Sequence, residues 1–242
     1  MIEKLKTDFI AKRENFLCCN IGCDLESSRQ SVALAKTYRF VYGTVDIHPE
    51  FADSISDEAL IELKALAKEE KIVAIGEIGL DYHWDDNPPK EKQRECFERQ
   101  IELAKEINMP IAIHSRDADQ ETMDILKAHK AFDGAGVLLH CFSGSAELAR
   151  QYVKLGAWIS IAGPVTYKNN RKTIEVVQTV PLERLLIETD SPYLTPVPHR
   201  GEPNFPGFVI HTAEKLAEIK GVPFEEVAAQ TFLNAKTFYG IY

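Results

Sequence analysis

One carboxylate stands inside an apolar segment, where it needs a chemical partner. Glu77 interrupts residues 73–80, which are otherwise apolar or glycine. Charged side chains are almost never buried unpaired. Gly76 and Gly79 flank Glu77 and permit close approach of another backbone or of a ligand. We therefore expect Glu77 to hold either a metal ion or an Arg or Lys inside the fold.

Two histidines end two successive apolar runs of the same design. His114 follows residues 110–113, and His140 follows residues 136–139. A lone His at the end of a strand is more often a hydrogen-bonded core residue. Two of them beside a Glu offer nitrogen and oxygen ligands that suit zinc, manganese or a similar divalent ion.

A further carboxylate comes at the end of the last apolar run. Asp190 can bind a metal ion or accept a proton from metal-bound water. Glu188 shares its strand face by alternation, so at most one of the two need be a ligand. We select Asp190 because it is nearer the strand end.

The elements that must position these residues alternate between apolar runs and amphipathic stretches. Such an alternation predicts successive βα units in a parallel sheet. The apolar runs are residues 16–23, 40–47, 73–80, 110–114, 136–142, 157–162 and 185–189. The stretches with helical periodicity are residues 27–38, 57–69, 92–108, 119–129, 145–155, 170–179 and 208–220.

Seven strands fit either an open doubly wound sheet or a barrel that lacks one strand. The chemically interesting side chains follow many different strands, which favours a (β/α)8 TIM barrel over a sheet with one switch point. Residues 2–10 resemble a helix, so the first strand is the missing one. We predict an α/β fold, a single domain over residues 1–242, and a TIM barrel without its first strand.

Composition limits the class of protein. The 242 residues are 45% hydrophobic and 27% charged, which is ordinary for a globular protein. The net charge of -9 argues against a broad basic face for duplex DNA, though not against a local phosphate site. Five cysteines without a CxxC pair indicate reduced, buried thiols. The N-terminal residues lack the apolar stretch of a signal peptide, so we expect a cytoplasmic protein.

Several motifs together resemble the TatD-like metal-dependent deoxyribonucleases. They occur in the family's order and extend from about residue 17 to the C-terminus. The segments are GEIGLDY at 76–82, HSRD at 114–117, HCFSG at 140–144 and ETDSPYL at 188–194, with IHP at 47–49, GPVT at 163–166, PHRG at 198–201 and NAK at 234–236. The resemblance implies a (β/α)8 barrel among the amidohydrolase-like metal hydrolases.

The resemblance also implies roles for individual residues. Glu77 would bridge two divalent ions, His114 and His140 would bind one of them, and Asp190 would bind the other or activate its water. His48 resembles a position near the substrate phosphate. One or two ions are expected, of Mg, Mn or Zn, and a two-ion site suits hydrolysis of a phosphodiester bond.

Two departures from the family pattern stand out. The family's first strand ends in a His-x-His pair that ligates the ion on the Asp190 side, and no His-x-His occurs in the 242 residues. Glu50 stands where relatives usually have another His after His-Pro. The ion held by His114 and His140 would keep three protein ligands, whereas the other would keep only Glu77 and Asp190.

Cationic and aromatic side chains near the strand ends are candidates for substrate binding. Arg116 and Arg200 can hold phosphates, with ordinary solvated surface charges as the alternative. Aromatic groups in the loops can stack on unpaired bases or simply cap the core; they are Tyr82, His83, Trp84 and Tyr193.

Three functions remain open at this point. The preferred one is a divalent-metal deoxyribonuclease that cleaves phosphodiester bonds with metal-activated water, acting on single strands or exposed ends of DNA. The second is an amide or ester hydrolase on the same barrel, since fold and metal site do not fix the bond cleaved. The third is a weakly active or inactive truncated homologue.

Overall fold

Five parallel strands run through residues 17–140 and pair in the order in which they occur along the chain. They are β1 (Cys18–Asn20), β2 (Val41–Val45), β3 (Ile72–Asp81), β4 (Ile111–Arg116) and β5 (Val137–Leu139). The computed structural model describes residues 16–242, which form two compact units: residues 17–140, and residues 141–242 with Phe16. The predicted helix over residues 2–10 lies outside the described residues.

Helices connect these strands, as parallel pairing requires. They are α1 (Leu25–Thr37), α2 (Asp57–Leu66), α3 (Lys90–Glu106) and α4 (Asp119–Ala128), with short 3-10 turns at Pro49–Ser54 and Ala131–Asp133. Helix α1 begins with a capping box, in which Asp24 accepts from the Ser27 N–H and Ser27 Oγ accepts from the Asp24 N–H. Reciprocal capping of this kind satisfies two backbone donors that the first turn would otherwise leave unpaired.

Strand β3 is irregular at the point where Glu77 lies. Its pairing register with β4 shifts between Ile75 and Ile78. Gly76 and Gly79 adopt φ values of +145° and +146°, and a Cβ atom on Gly79 would lie 1.9 Å from the carbonyl oxygen of His114. The glycines beside Glu77 therefore permit a close approach between the backbones of β3 and β4.

Helix α3 carries two buried glutamines that hold the ends of two strands. Gln100 binds both backbone groups of Ile47, accepting from its N–H at 2.8 Å and donating to its carbonyl oxygen at 2.8 Å. Gln93 does the same for Asp81, at 2.8 and 2.9 Å. The residues that follow β2 and end β3 are thus fixed by side-chain amides of one helix.

The unit formed by residues 141–242 contains two parallel strands, β6 (Trp158–Ile161) and β7 (Leu185–Ile187). Its helices are α5 (Ala146–Lys154), α6 (Arg171–Thr179), α7 (Val209–Lys220) and α8 (Phe224–Tyr239). Three 3-10 turns occur at Gly163–Thr166, Leu182–Arg184 and Pro206–Phe208. The buried Asn234 of α8 donates to the carbonyl oxygens of Leu182 and Leu185, and so fixes the start of β7.

All seven predicted strands and all seven predicted helices are confirmed, with boundaries shifted by a few residues. Helix α8 was not predicted, because its buried face includes Thr231 and Asn234 and therefore lacks an unbroken apolar stripe. The prediction that the thiols are buried holds for Cys96 and is wrong for Cys23, which is exposed beyond the end of β1. Within residues 16–242, no helix has the length and apolar character needed to cross a membrane.

Candidate metal centre

Three of the predicted ligands meet at one carboxylate oxygen in the unit of residues 17–140. Oε1 of Glu77 lies 2.8 Å from Nδ1 of His114 and 3.2 Å from Nε2 of His140. These side chains are only 12–19% exposed. The alternative partner for Glu77, an Arg or Lys, is not found among its contacts in the described part of the chain.

The second nitrogen of His114 is also held. Its Nε2 lies 2.9 Å from Oδ2 of Asp81, whose side chain is 2% exposed. Asp81 ends strand β3, where Gln93 binds its backbone N–H and carbonyl. A metal-binding His usually gives its other ring N–H to a carboxylate, which fixes the orientation of the ring. Asp81 is placed for that role.

His48 completes the group from the residues after β2. Its ring centroid is 4.7 Å from that of His114. Its Nδ1 accepts from the Glu50 N–H at 3.3 Å, which leaves Nε2 as the protonated nitrogen of the neutral ring. One ligand atom from each of His48, Glu77 and His114 falls within 4.8 Å of the others.

Burial and neighbouring charges shift the pKa values of the side chains in this cluster. Burial alone would raise the pKa of Glu77, but the facing His140 and His114 outweigh it and lower this pKa to about 2. Burial opposes protonation of His114, yet its hydrogen bonds to Asp81 and Glu77 raise its pKa to about 9. Burial and the neighbouring His114 lower the pKa of His48 to about 4. Glu77 is thus ionised as a ligand must be, whereas His114 has to release a proton before its Nδ1 can bind an ion.

The donor set fits a divalent ion. Imidazole nitrogens and a carboxylate oxygen are the ligands of zinc and related ions, with bonds of about 2.0–2.2 Å that put neighbouring ligand atoms roughly 3 Å apart. The 2.8 and 3.2 Å separations around Glu77 agree with that spacing. Glu77 and His114 form a compact candidate site with His48, and the assignment of His140 as a further ligand of the same ion stays a prediction.

The remaining carboxylate candidates belong to the unit of residues 141–242. Asp190 follows β7 in the left-handed backbone region, with φ of 57°. Glu188 accepts a hydrogen bond from the backbone N–H of Cys141 at 2.5 Å. Glu188 therefore has a backbone partner, and the choice of Asp190 as the ligand stays a prediction.

The predicted substrate-binding arginines both lie over aromatic rings. The guanidinium of Arg116 is 5.2 Å from the centroid of Trp84, in the unit of residues 17–140. The guanidinium of Arg200 is 4.0 Å from the centroid of Tyr167, in the other unit. Their assignment to substrate stays a prediction.

Reasoning from the sequence missed Asp81, Gln93 and Gln100. Asp81 stands four residues after Glu77 in the same strand, and that even spacing was the available signal that both carboxylates face one side. Gln93 and Gln100 gave no comparable signal, because a polar residue on a predicted helix is expected to face solvent unless its packing is known.

Comparisons with known proteins identify the family and the fold of this chain. The family described as "TatD related DNase" matches residues 6–240. An "uncharacterized metal-dependent hydrolase YabD" from Bacillus subtilis is 47% identical over 221 residues, covering 91% of this chain and 86% of the relative. A "3'-5' ssDNA/RNA exonuclease TatD" from Escherichia fergusonii is 35% identical over 230 residues, covering 91% and 86%. The crystal structure of YjjV, a TatD homolog from Escherichia coli K12, superimposes with a TM-score of 0.87 at 32% identity, covering 93% and 87%.

These likenesses define an α/β metal-dependent hydrolase fold of the TatD type, as the sequence motifs predicted. The chain belongs to the TatD-related DNase family. The predicted class, a (β/α)8 TIM barrel, is confirmed by the likeness to the YjjV structure, and residues 16–242 contain seven strands.

Proposed function

We propose that this chain is a divalent-metal-dependent deoxyribonuclease that hydrolyses phosphodiester bonds, over a single domain of residues 1–242. The observation that carries the proposal is the single oxygen of Glu77 that faces both His114 and His140, with the second nitrogen of His114 held by Asp81. The family's name and the exonuclease name of one relative support DNA as the substrate.

A divalent ion bound at Glu77, His114 and His140 would supply a Lewis acid for the phosphoryl oxygens and lower the pKa of a water molecule. Asp81 keeps the His114 ring oriented through its Nε2, and Glu77 stays ionised because its pKa is about 2. Burial keeps His48 neutral, so its Nε2–H is free to donate to a phosphate oxygen.

Asp190 is proposed as the base of the reaction. The oxygen of the attacking water forms a bond to phosphorus while the bond from phosphorus to the leaving sugar oxygen breaks. The Asp190 carboxylate accepts the proton of the water, and the leaving oxygen takes a proton from solvent. Arg116 and Arg200 are proposed to bind substrate phosphates.

The test is cleavage of end-labelled single-stranded DNA with Mg²⁺, Mn²⁺ or Zn²⁺. We expect cleavage with at least one ion, and loss of both cleavage and bound metal in Glu77→Gln. Glu147→Gln is the matched control, since Glu147 is exposed on α5 and pairs only with surface groups. Cleavage that persists in chelator, or an amide or ester substrate turned over faster than DNA, would overturn the proposal.

A further inference from the structure

The loop that follows strand β3 carries an exposed indole next to the metal-ligand cluster. Trp84 is 50% exposed. The preceding residue, His83, donates its backbone N–H to Oδ1 of Asp81 at 3.0 Å, while Oδ2 of the same carboxylate holds His114. Consecutive Cα atoms are about 3.8 Å apart, so the Cα of Trp84 lies no more than about 11 Å from that of Asp81. The indole is therefore within reach of a nucleotide bound at the cluster.

The indole is held in place by neighbours on two strand ends. Arg116, at the end of β4, lies over it at 5.2 Å, and the His83 ring meets it edge-on at 4.8 Å. Asp117 fixes the His83 ring through Nδ1 at 2.8 Å. An aromatic side chain that its neighbours already hold in place loses little conformational entropy when a ligand stacks on it. The exposed face of the Trp84 indole, called the platform below, is therefore preorganised for stacking.

Charge indicates which part of a nucleotide the platform takes. Asp85 and Asp86 follow Trp84 along the loop, and Asp117 lies behind His83. Arg116 is the cation in contact with the indole and keeps its proposed role at a substrate phosphate, whereas the indole face itself carries no charge and lies among these carboxylates. An uncharged planar group suits it better, because a base would extend the stack that Arg116 and Trp84 begin. Stacking of bases on aromatic side chains is how proteins hold unpaired strands without regard to sequence.

We propose that Trp84, braced by Arg116 and His83, is a base-stacking subsite that binds an unpaired nucleobase beside the scissile phosphate. The proposal rests on the proposed nuclease function. It adds that this loop recognises the nucleobase of the substrate. A base within a duplex has both faces covered by its neighbours, so the subsite favours unpaired strand ends.

The test measures binding without turnover, in chelator, with two fluorescent strands of equal length: oligothymidylate and an abasic strand with the same phosphates. We expect Trp84→Ala to weaken oligothymidylate binding about 5- to 150-fold and to leave abasic binding unchanged. Trp84→Phe should retain most of the affinity. Tyr242→Ala, which removes another exposed aromatic group, is the matched control and should bind as the wild type does.

A second measurement reports on the indole itself. The chain has two tryptophans, so in Trp158→Phe the only tryptophan fluorescence is that of Trp84. Oligothymidylate should quench it, and the abasic strand and inorganic phosphate should not. Equal loss of binding to both strands in Trp84→Ala, or binding without quenching, would overturn the subsite.

The two proposals fail in different ways. Metal-dependent cleavage that Trp84→Ala leaves unchanged, with unchanged affinity for oligothymidylate, would refute the subsite and leave the nuclease function standing. Base-dependent binding through Trp84 without metal-dependent cleavage would refute the nuclease function and leave the subsite standing.

Discussion

Replacing Gln93 by Met tests how the fold positions the metal-ligand cluster. Gln93 is 1% exposed, and its amide makes three hydrogen bonds. It accepts from the Asp81 N–H at 2.8 Å, and it donates to the carbonyl oxygens of Asp81 and Pro88, both at 2.9 Å. Met has a similar volume and no hydrogen-bonding amide, so Gln93→Met removes these bonds without opening a large cavity.

The expected loss of stability depends on which hydrogen bonds the backbone partners of Gln93 retain in the variant. The Asp81 carbonyl retains a bond from Asn87 at 3.1 Å, whereas the buried Asp81 N–H loses its side-chain acceptor. An orphaned buried donor costs about 2 kcal/mol, and each of the two other lost bonds costs about 1 kcal/mol. The free energy of unfolding should therefore fall by about 4 kcal/mol, a large part of the roughly 5–15 kcal/mol that stabilises a typical domain.

Urea denaturation followed by circular dichroism measures this loss. Gln120→Met is the matched control, because Gln120 is exposed on α4 and bonds only to Asp124; its free energy of unfolding should stay within about 0.5 kcal/mol of the wild type. Metal affinity of Gln93→Met should also fall, by about 10- to 100-fold, because Asp81 no longer orients His114. A loss of stability below 1 kcal/mol, or an equal loss in the control, would refute the role given to Gln93.

Three further outcomes are expected. Gly79→Ala should not yield a folded protein, because its Cβ would lie 1.9 Å from the His114 carbonyl oxygen. Gly156 has a φ of +90° and open space around it, so Gly156→Ala should lower the free energy of unfolding by only about 1 kcal/mol, as measured by thermal denaturation. Asp24→Ala should lower the free energy of unfolding by about 1 kcal/mol through loss of the α1 cap, and no change in urea denaturation would contradict that cap. Saturation with the preferred divalent ion at 100 times its dissociation constant should stabilise the wild type by about 2.7 kcal/mol and leave Glu77→Gln unchanged, as measured by thermal shift.

Much of the fold could be predicted because apolar runs and helical periodicity directly reflect burial. Each predicted strand is present. The motif GEIG at residues 76–79 predicted both a carboxylate ligand and a close backbone contact. Helix α8 and the exposure of Cys23 could not be predicted in this way. Their burial depends on which neighbours pack against them, and the local pattern of residues does not contain that information.

The sequence by itself determined the composition of the candidate site. Glu77, His114 and His140 stand out because a polar group at the end of, or within, an apolar strand is stable only with a partner. Only the tertiary structure decided what that partner is: Glu77 faces both histidines at one oxygen, and Asp81 holds the second nitrogen of His114. Gln93 and Trp84 acquired roles for the same reason, because hydrogen bonds and ring contacts between distant segments form only when the chain has folded.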